Sequence, residues 1–197
     1  MRLAGDTDDV ACIRRARAGE RDAFEHLVRQ TARMLYARLY LEVGDRDRAE
    51  DLLQETYLVA WRSIRQLDDV ADASAFRRWL FSIARTVRID SARRQTRQKR
   101  GGSQDPRPAD SADGDYADPA PGPDEQAERQ ERHDRLLSLV RSLPEEYRLP
   151  ISMRYLAGAD YPAICRQLGL TGGSLRGLLN RGMTRLRQLM GAARDDA

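Results

Sequence analysis

Three stretches of the chain place apolar residues three and four positions apart, with charge sorted to the opposite side, as in helices buried along one face. From about residue 48, Leu52, Leu53, Tyr57, Ala60, Trp61 and Ile64 make one stripe; Asp51, Gln54, Glu55 and Leu58 fall on the other face. The next stripe holds Phe76, Leu80, Ile83, Ala84, Val87 and Ile89, with Arg77, Arg78, Arg85, Arg88, Arg93 and Arg94 around it. The third runs through TGGSLRGLLNRG, residues 171–182, and on: Leu175, Leu179, Gly182, Leu186 and Leu189 or Met190 face a core. No run alternates β-branched and polar residues as a strand would, so the pattern predicts an all-α protein.

Capping residues divide these helices. Asp22 with Glu25 and Asp47 with Glu50 resemble capping boxes, and Ser74 can cap a third start. Pro144 suits a helix start, whereas Pro150, six residues on, is expected to kink the helix it lies in. Asp160 then caps a short helix through Leu168, Gly169 makes a tight turn, and Thr171 caps the last helix. That is the helix-turn-helix outline. Between the two helical parts, 101–131 is dense in Gly, Pro, Asp and Ala and nearly lacks large apolar side chains, which predicts a flexible linker. The expected organisation is two small helical domains, 1–100 and 132–197, on an acidic tether.

Composition narrows the function classes. Of 197 residues 41% are apolar and 33% charged, a globular balance. No apolar run reaches the length of a membrane span, and the N-terminus carries charge where a signal peptide is apolar, so the expectation is a cytoplasmic protein without membrane insertion. Cys12 and Cys165 form no CxxC pair and have only His26 and His133 for company, which gives neither a disulfide framework nor a metal site. No nucleophile–base set and no phosphate-cradling glycine loop is apparent; neither an enzyme nor a cofactor is expected.

Charge changes the picture more. The net charge is only +3, but Arg77–Arg100 carries nine basic residues against Asp90, and Arg148–Arg194 carries eight arginines against Asp160. Residues 101–131 hold nine acids against Arg107 and Arg129. Two basic blocks around an acidic one suit two contacts with a polyanion, although ordinary solvated faces of an arginine-rich chain give the same numbers.

The stretch DRAEDLLQETYLVAW, residues 47–61, resembles region 2.2 of bacterial sigma factors of the extracytoplasmic-function (ECF) type, the small members of the sigma-70 family. FRRWLFSIARTVRIDSARR, residues 76–94, looks like regions 2.3 to 2.4, and residues 143–182 are similar to region 4. The resemblance implies a region 2-like bundle and a region 4-like helix-turn-helix. It implies that Asp51, Gln54 and Glu55 dock on the β′ clamp helices of core RNA polymerase, with the β subunit as a further contact. Arg77, Arg78, Arg85 and Arg88 would hold the melted −10 strand, and Asp72 to Phe76 would shape a pocket for a flipped base. Trp79 is a candidate for stacking or for the core. At the −35 element the resemblance places Thr171, Ser174, Arg176, Gly177, Leu178, Asn180, Arg181 and Arg185, with arginines on phosphate and a few side chains at base edges. It also adds promoter DNA and an anti-sigma factor as partners, and a nucleoid location within holoenzyme.

Departures from the family pattern keep a second reading open. Gly177 and Leu178 stand where polar and basic residues are usual, Pro162 replaces an acid, and Cys165 stands at a small buried position. A sigma-like adaptor that binds polymerase with weakened DNA recognition has the same first domain. Promoter elements about 17 base pairs apart span roughly 58 Å, which a 31-residue tether, about 100 Å when stretched, can reach.

Overall fold

The computed structural model describes residues 4–67, 73–100 and 123–195. Among the described residues eight α-helices follow in order: α1 (Ala4–Arg17), α2 (Arg21–Val43), α3 (Arg46–Ser63), α4 (Ala73–Arg100), α5 (Pro123–Ser142), α6 (Glu145–Ile151), α7 (Tyr161–Leu168) and α8 (Gly172–Asp195). A 3-10 turn, Ile64–Gln66, ends α3. The described residues are all-α, as the periodicity predicts.

Helices α1 to α4 pack into one bundle and α5 to α8 into a second unit. In the bundle, Leu52 and Ala60 of α3, Ile64 of the 3-10 turn after it, and Phe76, Leu80, Ala84 and Val87 of α4 are buried together, along the stripes read from the sequence. Phe24 of α2 meets Tyr57 edge-on at 6.4 Å and Trp61 at 5.0 Å. Thr31 donates to Leu27 O (2.7 Å), so the hydrogen bond of 2.8 Å between Thr31 Oγ1 and Tyr57 is donated by the phenol. Burial pushes the Tyr57 pKa above its ordinary value.

Several starts differ from the expected caps. Asp45, not Asp47, caps α3: it accepts from the Arg48 amide at 2.8 Å. Asp47 lies inside the first turn, where its charge still suits the helix dipole. For α2 the cap position is Glu20, ahead of Asp22, and its side chain makes no cap bond. In α1, Cys12, Ile13 and Ala16 are buried against the bundle, a helix whose polar, charge-rich sequence gives a weak stripe.

Helix α5 begins at Pro123, inside 101–131, because its polar turns support themselves: Glu125 pairs with Arg129 at 2.6 Å and Glu128 with Arg132 at 3.3 Å, both i,i+4. Residues 101–122 lie outside the described residues.

In the second unit the sequence punctuation holds. Asp160 accepts from the Ala163 amide (2.8 Å), Gly169 closes α7 at φ +66°, and Thr171 Oγ1 accepts from the Ser174 amide (3.2 Å). Pro144 occupies the cap position of α6 itself, one residue before the first helical position. Pro150 is buried inside α6, and the helix widens after it into a π-type turn, Ser152–Leu156, rather than breaking.

Gly182 sits where α8 crosses α6. A Cβ there would fall 2.6 Å from Ile151 Cδ1 and 3.0 Å from Tyr147 Cβ, so glycine permits a helix approach that alanine cannot match without displacement. Gly182→Ala is expected to lower stability by about 1–3 kcal/mol through overpacking. Ile151→Val removes the closest atom, so urea titrations of the single and double variants should give a double loss smaller than the sum of the single losses.

Candidate nucleic-acid interface

The face of α3 turned away from the core carries Asp51, Gln54 and Leu58. Asp51 and Gln54 are exposed, and Leu58 is 56% exposed, an unusual position for a leucine in a helix with a full core stripe. Glu55, on the same face, is half-buried and already paired: Arg94 Nη2 of α4 lies 2.6 Å from its Oε1. This hydrogen bond, and then the carboxylate charge, hold the Arg94 pKa above its ordinary value.

Helix α4 presents its arginines unevenly. Arg78 and Arg85 are exposed and Arg77 is half-buried. Arg78 Nη1 donates to Ser74 Oγ one turn back at 2.6 Å. Arg88 turns from this row toward α2, where its Nε lies 2.6 Å from Glu42 Oε2. Phe76 needs correction as a candidate contact with DNA. It is 2% exposed and packs its ring 5.7 Å from Trp79, because its position in the apolar stripe aims it inward. Trp79 is half-buried against the same core. Asp72 lies outside the described residues.

Helix α8 separates its two faces. Leu175, Leu179 and Leu186 are buried with Gly182, while Thr171, Ser174, Arg176, Asn180, Arg181 and Arg185 are exposed. The first turn, with Thr171 as cap and two side-chain-free residues, opens a row of amide N–H groups to solvent. Leu178 is half-buried but does not join the core cluster, and Gly177 beside it lies under the Arg181 guanidinium.

The contact between the two units has no counterpart in the sequence patterns. Arg141 Nε donates to Leu41 O (2.5 Å), Arg33 Nη1 to Gly158 O (3.2 Å), and Gln167 Nε2 to Gln30 O. His133 Nε2 stands 3.0 Å from the Tyr40 hydroxyl and 3.3 Å from Gly44 O. Most of these acceptors are backbone carbonyls, which carry no side-chain signature.

A capped helix-turn-helix with an arginine-lined outer face, appended to a helical bundle with a second arginine-rich helix, defines a DNA-binding protein of the helix-turn-helix class. The family model for sigma-70 region 2 matches residues 27–98, and that for sigma-70 region 4 matches residues 133–186. The two matches together cover more than half of the chain. The chain belongs to the sigma-70 family of RNA polymerase sigma factors, in its ECF branch.

Similar proteins include the ECF RNA polymerase sigma factor SigE of Mycolicibacterium smegmatis, 29% identical over 177 residues, 85% of this chain and 62% of SigE. The sigma factor BldN of Streptomyces coelicolor is 28% identical over 195 residues, 96% of this chain and 69% of BldN. NccH of Alcaligenes xylosoxydans xylosoxydans is 27% identical, with 92% of this chain and 94% of NccH covered. A solved structure of CnrH in complex with the cytosolic domain of CnrY is also similar, with 22% identity, a TM-score of 0.44, and 93% of this chain and 97% of that one covered. Among the described residues no helix is long and apolar enough to cross a membrane.

The placements of Phe76 and Arg78 predict opposite outcomes. Phe76→Ala should cost about 3–5 kcal/mol, as for a buried aromatic. Arg78→Ala should leave unfolding within about 0.5 kcal/mol of the native protein. Chemical denaturation followed by circular dichroism distinguishes them, and equal, small effects would place Phe76 outside the core.

Proposed function

We propose that the chain directs core RNA polymerase to promoters, with α3 docking on polymerase, α4 holding the −10 strand and α8 reading the −35 element. The observation that carries this reading is the division of α8: a buried leucine row on one side, and Ser174, Arg176, Asn180, Arg181 and Arg185 on the other. Arginines so placed can clamp phosphates while the polar residues between them reach base edges. On α3, exposed Leu58 with Asp51 and Gln54 supports a protein contact, an apolar centre with a polar rim. We extend the first domain through residue 100 and begin the second at α5.

DNA engagement on both elements requires the two units to part. Packed domains of this size have centres roughly 30 Å apart, whereas the promoter elements lie about 58 Å apart along the duplex. The 22 residues from 101 to 122 reach about 75 Å when extended, enough for the span. Arg88, paired with Glu42 within the bundle, lines the cleft against α5 and α6, so parting the units uncovers this pair.

Run-off transcription with purified core enzyme tests the reading. Leu58→Asp is expected to lower core affinity at least tenfold without changing the unfolding midpoint. The pair Gly177→Ser and Leu178→Arg should alter −35 affinity or preference while core binding stays intact. Tight core binding with no initiation on any genomic fragment would overturn the promoter role and leave a polymerase-binding adaptor.

A further inference from the structure

A cleft of about 440 Å³ lies where α2 and α4 of the bundle meet α5 and α6. Four arginines line it, Arg38, Arg88, Arg141 and Arg148, against two carboxylates, Glu42 and Glu145. The excess of positive charge is not spread evenly. Glu42 serves two partners, Arg88 at 2.6 Å and Arg38 at 3.5 Å. Among the described residues Arg141 has only backbone acceptors, Leu41 O at 2.5 Å and Glu42 O at 3.3 Å. Arg148 donates to Arg141 O at 3.0 Å and has Glu145 no nearer than 3.9 Å.

A guanidinium carries five N–H donors, so Arg141 and Arg148 keep several unused. The carbonyls they touch lie at the C-terminal ends of α2 and α5, where the helix dipole supplies only a partial negative charge. These contacts fix the two side chains without neutralising them. Arg38 is fixed as well, its guanidinium 4.7 Å above the Phe81 ring. Pre-positioned, planar, permanently charged groups are those that bind phosphate oxygens in pairs.

We propose that this cleft binds a small organic di- or triphosphate, of nucleotide size, and that the ligand bridges the two units. The volume falls within the range of small-ligand pockets, about 300–1,000 Å³, and is too small for a duplex. Leu41 and Leu149 give the cleft an apolar wall for a flat ring, while the arginines take the phosphates. Two of the arginines, Arg38 and Arg88, belong to the bundle and two, Arg141 and Arg148, to the second unit. A ligand that needs all four binds the packed arrangement and not the parted one. It thereby ties promoter engagement to the ligand's concentration: at a hundredfold excess over Kd it lowers the open fraction about 100-fold.

Isothermal titration of the full chain at low salt, with pyrophosphate in one arm and GDP in the other, tests the site. The expected result is saturable one-to-one binding of at least one probe, accompanied by a rise in Tm and weakened by added salt. Tighter binding of GDP assigns the apolar wall to the base; equal binding assigns recognition to the phosphates, and either outcome supports the site. The double variant Arg141→Gln with Arg148→Gln should bind at least tenfold more weakly. Because Arg141 also joins the units, Arg38→Gln provides a second variant that leaves all inter-unit hydrogen bonds in place and should also lose at least fivefold. Arg29→Gln, an exposed arginine outside the cleft, should bind as the native protein does. Absence of saturable binding by both probes, unchanged affinity in both cleft variants, or displacement of pyrophosphate by a short duplex in proportion to its phosphates would overturn the proposal.

Discussion

The fold depends on helix α2 being covered around most of its circumference. Ala23, Phe24, Leu27, Thr31, Met34, Leu35, Ala37, Leu39, Tyr40 and Leu41 are all buried, a set too wide for one face of a helix. One side is closed by α1, α3 and α4, and the other by α5, α6, α7 and the π-type turn after α6. The bundle alone would leave part of this helix in water. The second unit is therefore more than a tethered module, since it completes the burial of the first unit's central helix.

How that second contact is made bears on whether it can be released. Its directed bonds run largely from side chains to carbonyls: Arg141 to Leu41 and Glu42, Arg33 to Gly158, Gln167 to Gln30. Polar contacts of this kind lose little when water replaces the partner, because folding exchanges one hydrogen bond for another. Contacts between domains in one chain are commonly of this polar, separable sort. The widened turn after Pro150 matters here, because it places Gly158 and the start of α7 against α2. A proline expected to kink its helix thus also shapes the docking surface.

Much of this was legible in the sequence, and the exceptions have physical causes. The stripes of α3, α4 and α8 and the caps at Asp160 and Thr171 are local features, set by spacing and by side chains that bond their own backbone. The start of α5 was hidden because its first turns touch no core and rely on i,i+4 charge pairs within an acidic, Pro-rich stretch. The sequence admits Phe76 both as core and as part of a base pocket, and only packing decides between them: at 2% exposure it has no face left for a base. The inter-unit contact could not be read at all. It pairs residues about a hundred positions apart, and its acceptors are mostly backbone atoms common to every residue type.

Two glycines inside α8, Gly177 and Gly182, illustrate the same division between what packing dictates and what it leaves open. At Gly182 a methyl group would meet Ile151, itself only 3% exposed, and Tyr147, so the neighbouring helix requires the glycine. At Gly177 the nearest atom to an added Cβ is Arg181 Nη1 at 3.3 Å, the far end of a flexible side chain on the same helix. That end can move, so nothing inside the protein requires glycine there, although glycine costs the helix about 1 kcal/mol relative to alanine. What glycine does allow is for the Arg181 guanidinium to lie over the helix one turn toward its N-terminus, at the Gly177 position. Packing therefore dictates the glycine at 182 and leaves the choice open at 177.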